Sequence, residues 1–273
     1  MCGIFAYTGT KNAGEVLLDG LTSLEYRGYD SAGVFTPESG VIKAKGPVNN
    51  LKRKIPSGFY GTSGIAHLRW ATHGEPTEEN AHPHRDCSGD IWVVHNGIIE
   101  NFKELKDGLT ARGHTFTSAT DTEVISHLIE EHMKSEKDFE KATFKALNEL
   151  RGAYGLVIQH KQHPDLIIGA RLGAPVVIGL GDGEGFVASD ASPILRHTRT
   201  VVFLNDGEVA SVRPNGHEIF SLDSRKIERT PEEIQWDQEE AKREGYDHFM
   251  LKEIMEAPEV VRNTIRGRLI VNE

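Results

Sequence analysis

The chain has 273 residues, with 31 Lys and Arg against 41 Asp and Glu and a net charge of −10. Hydrophobic residues make up 38% and charged residues 26%, which excludes a disordered polyampholyte, and a chain this long buries enough surface to need no staples. The acidic balance argues against generic binding to a nucleic-acid backbone, because no positive field is available to drive counterion release. Cys2 and Cys87 are too few for a disulfide framework, which points to a reducing compartment. The opening Met1-Cys2-Gly3-Ile4-Phe5-Ala6-Tyr7 lacks a basic n-region and its apolar run is too short for a signal peptide. With no run of ~18 apolar residues anywhere, a cytoplasmic location is expected.

In chain order, Ile4 to Tyr7 reads as a short buried strand closed by Thr8-Gly9-Thr10. Ala13 to Glu25 carries Leu17, Leu18, Leu21 and Leu24 at helical spacing, with Gly28 as the residue just past the end. Strands follow at 32–36 and 41–45, separated by a Pro37/Gly40 turn. Residues 64–70 predict a strand running into a polar loop from Thr72 to Asp90, and 91–94 another strand, broken by Asn96-Gly97. Helices are expected at 102–112, 123–134 and 139–150, with Asp121 or Thr122 capping the second. The period then changes, and 153–159, 166–170, 175–180, 186–188, 201–204 and 209–212 read as short strands between turns. Strands, helices and strands in that order predict a mixed α/β or α+β layered domain. From Trp236 onward the chain becomes charged and helical, with Pro258 interrupting it.

Cys2 is the sharpest chemical feature. Once Met1 is removed, a single residue holds both a thiol and an α-amine. Their unperturbed pKa values of ~8.5 and ~7.7–8.0 let the amine accept the thiol proton near neutral pH. Taken by position alone, Cys2 reads more readily as a small buried hydrophobe. His95-Asn96-Gly97 after an apolar strand matches a hairpin turn, but the Asn amide and Gly N–H could also converge on one oxyanion. Arg69, in Arg69-Trp70-Ala71-Thr72-His73-Gly74, can grip a carboxylate bidentately, with Thr72 and His73 adding hydrogen bonds. Asp121 reads as an N-cap or as a partner for an ammonium group. An Arg and an Asp sharing one pocket would suit an α-amino acid. His82-Pro83-His84 with Cys87 matches no zinc signature and has no second ligand pair close by, so no metal is expected and no cofactor is implied. The glycines of Gly181-Asp182-Gly183-Glu184-Gly185 lie between strands and read as a hairpin, not as a phosphate cradle.

Together, six strings resemble the class II glutamine amidotransferases, which are N-terminal-nucleophile hydrolases. They are Cys2-Gly3-Ile4, residues 24–33 (Leu24-Glu25-Tyr26-Arg27-Gly28-Tyr29-Asp30-Ser31-Ala32-Gly33), Arg69 to Gly74, Asn80-Ala81-His82-Pro83-His84, residues 95–101 (His95-Asn96-Gly97-Ile98-Ile99-Glu100-Asn101) and Thr120-Asp121-Thr122-Glu123. The Tyr-Arg-Gly-Tyr-Asp and Arg-Trp-Ala-Thr-His-Gly strings are similar to the glucosamine-6-phosphate synthase branch rather than to the amidophosphoribosyltransferase branch. The resemblance implies an α+β fold, a four-layer αββα sandwich, spanning residues 2–236. It implies hydrolysis of L-glutamine to glutamate and ammonia through a γ-glutamyl thioester on Cys2, with Asn96 and Gly97 as the oxyanion hole. Arg69 would hold the substrate α-carboxylate and Asp121 its α-ammonium, Thr72 and His73 would line the site, and Trp70 would gate the ammonia exit.

Leu68, Ala6 and the loop from Arg85 to Asp90 depart from the family pattern. Residues 237–273 resemble the family's linker and helical segment toward a sugar-phosphate isomerase domain, where fructose 6-phosphate would receive the ammonia. That domain is missing from this chain, so a piece of a longer protein or a subunit pairing in trans is expected. Phe249, Leu251, Ile254 and Met255 fit a helix awaiting a partner. The resemblance further implies a homodimer for the full-length protein, with no nucleic-acid or membrane partner. A non-catalytic interaction module is the competing reading, and the intact Cys2, Arg69, Asn96 and Asp121 weigh against it.

Overall fold

The computed structural model describes residues 2–71, 74–235, 246 and 249–265. Residues 1–234 form one compact unit and 235–273 a second. The elements of the first unit, in chain order, are β1 (Gly3–Thr8), α1 (Ala13–Ser23), β2 (Ser31–Thr36), β3 (Gly40–Lys45), α2 (Val48–Lys54), β4 (Ser63–Arg69), β5 (His84–Arg85) and β6 (Ile91–Ile99). Three helices follow, α3 (Phe102–Ala111), α4 (Glu123–Met133) and α5 (Phe139–Glu149), and then β7 (Gly152–His160), β8 (Ile167–Leu172), β9 (Val177–Gly181) and β10 (Glu184–Ala188). The unit closes with β11 (Thr200–Phe203), β12 (Glu208–Arg213), β13 (Gly216–Ser221), β14 (Lys226–Ile227) and β15 (Glu232–Glu233).

The strands make two antiparallel sheets, in the orders β15-β11-β9-β10-β1-β4-β2-β3 and β14-β13-β12-β8-β7-β6-β5. Period-2 alternation along the central strands shows how the layers stack. Phe5 and Tyr7 of β1 pack with Leu17 and Leu21 of α1, while Ile4 and Ala6 point into a core shared with Trp92 and Val94 of β6. On β6, Ile91 and Val93 face the other way, toward Val124, Leu128 and Ile129 of α4. Helices therefore cover the outer face of each sheet, and the inner faces meet, giving the αββα sandwich of an α+β protein. Strands buried on both sides read as unbroken apolar runs, which is why β1 lacks any polar alternation.

Phe35 of β2 and Trp92 of β6 stack between the sheets, with centroids 4.3 Å apart and planes 15° off parallel. A polar tie crosses the same layer, where the fully buried Gln159 amide donates to Ser63 Oγ at 2.6 Å.

Several expectations are corrected. Asn96-Gly97 does not break its strand, because β6 runs on to Ile99 with Asn96 opposite Gly155 and Gly97 opposite Tyr154. Gly97 has φ +130°, and a Cβ there would lie 2.0 Å from the Ala153 carbonyl oxygen. The glycine serves a close strand crossing rather than a turn. Gly28 is extended at φ −178° and caps a 3-10 turn, Glu25–Arg27, so it is not a left-handed helix terminator. Neither Asp121 nor Thr122 caps α4 with its side chain. The short α2 and the strand β13, next to the sheet edge, escape the periodicity reading because each buries so little: Val48 and Leu51 in one, Ile219 in the other.

In the second unit, α6 (Phe249–Ile265) continues through Pro258 instead of ending there. Leu251, Ile254 and Met255 are exposed on it. Met1, the linker residues 236–245, Asp247 and His248, and the terminal 266–273 lie outside the described residues.

Replacing Phe35 with Ala should cost about 3–5 kcal/mol, because a buried ring shared by both sheets leaves a cavity neither can close. Urea unfolding of the variant measures it, and a change under 1 kcal/mol on that scale would contradict the two-sheet core.

Candidate active site

Cys2 stands immediately before β1. The β1–β4 register sets Gly3 against Leu68 and Ile4 against His67, so the chain enters beside Arg69 and Trp70, where β4 opens into its loop. The Trp70 N–H donates to Cys2 Sγ at 3.2 Å, and Sγ lies 3.5 Å from the Trp70 carbonyl oxygen. Burial is the largest influence on the thiol and pushes its pKa up, although the Trp70 N–H and the Arg69 guanidinium pull the other way. The resting group is a thiol that needs a base before it can attack.

Asn96 comes to the same point from the second sheet and donates from Nδ2 to the Cys2 carbonyl oxygen at 3.1 Å. Its orientation is set from behind. His67 Nε2 lies 3.0 Å from Asn96 Oδ1 and 3.0 Å from the His95 carbonyl oxygen. Two acceptors at one ring nitrogen require that nitrogen to carry the proton. Burial pushes the His67 pKa down to about 3, so the ring stays neutral.

Behind His67 lies a layer of buried imidazoles. His82 stacks on it at 4.1 Å and meets His84 edge-on at 4.7 Å. The His95 N–H donates to His82 Nδ1 at 3.2 Å, which leaves the His82 proton on Nε2, facing Thr122 Oγ1 at 3.4 Å. The Thr122 hydroxyl can then donate to His95 Nδ1 at 3.0 Å. His84 Nε2 pairs with Thr120 Oγ1 at 3.2 Å. Burial lowers the pKa of His82, His84 and His95 as well. His82 and His84 therefore belong to the scaffold under the site, and Cys87 is not with them; it lies beside His114 and His127.

Arg69 is buried at the end of β4, donating from Nη1 to the Glu75 carbonyl at 3.1 Å and from Nη2 to the Gly74 carbonyl at 3.2 Å. Burial pushes its pKa down, while the charges of Cys2, Asp121 and Asp30 act to keep its proton on. Asp121, also buried, accepts the Ile99 N–H at 2.7 Å, tying the segment before α4 to the end of β6. Asp30 accepts the Ala71 N–H at 2.9 Å and so fixes the start of the loop that follows Trp70. Trp70 itself is 42% exposed and rests edge-on against Tyr29. A Cβ on Gly28 would come within 2.9 Å of the Arg69 backbone, so only glycine lets the 3-10 turn lie against it. Tyr26 and Arg27 anchor that turn by bonding Asp190 at 2.9 and 2.7 Å.

The structure thus brings Cys2, Arg69, Trp70, Asn96, Gly97 and Asp121 to one end of the sandwich, while Thr72 and His73 lie outside the described residues. The role of His67 was not read from sequence. Its one signal is a lone imidazole in the otherwise apolar run of β4, matched to His95 only once both sheets are built.

A glutamine amidotransferase domain family matches residues 67–196. Over 275 residues the chain is 50% identical to the glutamine–fructose-6-phosphate aminotransferase [isomerizing] of Thermotoga maritima, covering 98% of this chain and 45% of that protein. The chain belongs to the class II glutamine amidotransferases. An enzyme of the same name from Thermus thermophilus is 49% identical over 273 residues, again covering 98% of this chain and 45% of the relative. The chain spans under half the length of these relatives. Among solved structures, the glutamine phosphoribosylpyrophosphate amidotransferase of B. subtilis, complexed with ADP and GMP, superposes with a TM-score of 0.70 at 26% identity. That match covers 82% of this chain and 50% of the other. Among the described residues of this amidotransferase chain, no helix is long and apolar enough to cross a membrane.

The imidazole layer predicts acid sensitivity. A histidine whose pKa is lower folded than unfolded contributes stability that is present above the unfolded value of ~6.5 and lost as pH falls below it. Each such ring should remove on the order of 1 kcal/mol per pH unit below that point. The urea midpoint should therefore fall steadily from pH 7 to pH 5; a flat profile would mean the rings are not held neutral.

Proposed function

We propose that this chain is the glutaminase half of a glucosamine-6-phosphate-forming aminotransferase, hydrolysing L-glutamine to glutamate and ammonia. One observation carries the reading: the Cys2 sulfur and the Asn96 amide are held together at the mouth of β1, beside buried charges of both signs on Arg69 and Asp121.

Loss of Met1 frees the α-amine of Cys2. The amine takes the Sγ proton as sulfur attacks the side-chain amide carbon, and the carbonyl becomes an oxyanion. The Asn96 amide and the Gly97 N–H stabilise that charge, while the neutral His67 keeps the amide pointing at it. Collapse breaks the C–N bond, and the amine's proton leaves with the nitrogen as ammonia. Water, deprotonated by the same amine, then cleaves the thioester and returns the thiol.

Arg69 takes the substrate α-carboxylate in exchange for backbone carbonyls. Asp121, with one oxygen engaged by Ile99, offers the other to the α-ammonium. A ligand lacking either charge would leave a buried ion without a partner, which is the physical basis of substrate choice. Thr72 and His73 complete the lining, and Trp70 closes the ammonia exit.

The acceptor is fructose 6-phosphate, in a separate sugar-phosphate isomerase domain of a cytoplasmic, dimeric protein. The length of the curated relatives and the exposed apolar residues of α6 support this part of the reading. The domain begins at Cys2 and ends near 236, with 237–273 leading toward the acceptor half.

Cys2→Ala should abolish ammonia release from glutamine in a coupled glutamate assay while leaving the circular dichroism spectrum unchanged; turnover near that of the parent would refute the nucleophile. Asn96→Ala should lower kcat by about 10²–10³-fold, the usual cost of one oxyanion donor, with a smaller effect on KM. Asp121→Asn should mainly raise KM for glutamine, and an unchanged substrate dependence would remove it from the pocket.

A further inference from the structure

Away from Cys2, four side chains of mixed donor type converge where α4, the loop before β6 and the turn after α3 meet. His114 Nδ1 lies 3.3 Å from His127 Nδ1 and 3.1 Å from Glu130 Oε2. His127 Nδ1 is 3.5 Å from Glu130 Oε2. Cys87 Sγ is 3.5 Å from His127 Nδ1 and 3.8 Å from His114 Nδ1. All four ligand atoms lie within 4.8 Å of one another.

The placement follows from local structure. His127 and Glu130 are three apart on α4 and share a face. Gly113, at φ +95°, ends the helix before His114 and turns the chain back, so that the His114 N–H reaches the Leu109 carbonyl at 3.1 Å. Cys87 sits in the 85–90 loop that departs from the family strings, held by its own N–H on Glu130 Oε2 at 3.1 Å.

Each ring also has a carboxylate on its outer side. His114 Nε2 faces Glu131 Oε2 at 2.9 Å, and His127 Nε2 faces Glu123 Oε1 at 3.6 Å. Both carboxylates are fixed elsewhere, Glu123 by the N–H groups of Thr117 and Ser118 and Glu131 by Lys134 and Arg112. A carboxylate within hydrogen-bond distance of Nε2, as at His114, favours the proton there and frees Nδ1 for a metal, while His127 Nε2 lies beyond that distance and has no hydrogen-bond partner among the described residues. Two imidazole Nδ1 atoms, a carboxylate oxygen and a sulfur thus face one another.

We propose that Cys87, His114, His127 and Glu130 form a divalent-metal site whose ligand is zinc. A tetrahedral zinc with bonds of about 2.0–2.3 Å sets its ligand atoms about 3.3–3.6 Å apart. Five of the six separations run from 3.1 to 3.8 Å, and the sixth, between Cys87 and Glu130, lies within 4.8 Å. One thiolate and one carboxylate balance the ion's two charges, and sulfur with imidazole nitrogen selects zinc over magnesium or calcium, which take oxygen shells. Four protein ligands leave no open position, so the ion would be structural. It would clamp the 85–90 loop to α4, directly after Asp121 and Thr122.

The test uses the full chain in a Cys2→Ala background, where Cys87 is the remaining thiol. Purified from zinc-supplemented medium and passed over a desalting column, it should hold about one zinc per chain by plasma mass spectrometry, as a closed four-ligand site requires. Cobalt should bind in its place with the visible absorption of a tetrahedral thiolate complex. Adding the exposed Cys87→Ser should weaken zinc at least tenfold in competition with a chromophoric chelator. Glu131→Gln, which leaves all four ligands in place, should weaken it about 10–100-fold. Substoichiometric zinc in the parent, or zinc affinity unchanged in both variants, would overturn the proposal.

Discussion

The antiparallel pairing of β1 with β4 is the constraint on which the site depends. Its register, Gly3 to Leu68, carries the residue before Gly3 to the residues after Leu68 and so delivers a sulfur to a backbone N–H. Side chains alternate along strands, and a slip of one residue would turn Phe5 and Tyr7 away from α1 and carry Cys2 away from Trp70. The register is held by that apolar alternation and by Ser189, which accepts the Ile4 N–H at 3.0 Å from just past the end of β10 on the other side. The geometry of the candidate site is here a by-product of core packing.

The second sheet brings a different cost. Asn96 must point its amide at Cys2, and an amide buried in a sandwich has no water to orient it. The solution is a neutral ring donating to its oxygen, backed by His95, His82 and Thr122 in a linked series of hydrogen bonds, with His84, held on Thr120, packed edge-on against His82. Such a network is stable because each ring is kept uncharged by burial, and a single charged ring within it would be costly. The candidate site is thus ordered through a polar layer that lies behind it.

Much of this could be read from the residues before any coordinates. Cys2, Asn96 and Asp121 each have a plain structural reading when taken alone, and only the ordered strings together single them out with Arg69, while the helix and strand periods located most elements to within a few residues. What could not be read depended on contacts between distant segments. His67 looks like one polar residue in an apolar strand until His95 and Asn96 arrive from the other sheet. Asn96-Gly97 carries the local signature of a hairpin, yet a glycine is equally needed where Ala153 crosses close, and local sequence cannot separate the two. Gly28 is a related case, since its role is to admit the Arg69 backbone rather than to reverse a helix. Cys87 found its neighbours, His114 and His127, 27 and 40 positions away, beyond the reach of any spacing rule.

The buried bond from Gln159 to Ser63 has a wider meaning for the sandwich. Apolar layers adhere in many relative positions, because dispersion has little directional preference. An amide and a hydroxyl locked face to face between two greasy sheets act as a dowel pin. Volume can be redistributed around it, but sliding one sheet over the other would strand both polar groups at once. The same pin keeps the strand ending at Arg69 aligned with the sheet that supplies Asn96, so the mouth of the sandwich inherits its alignment from a bond at the far end of β4.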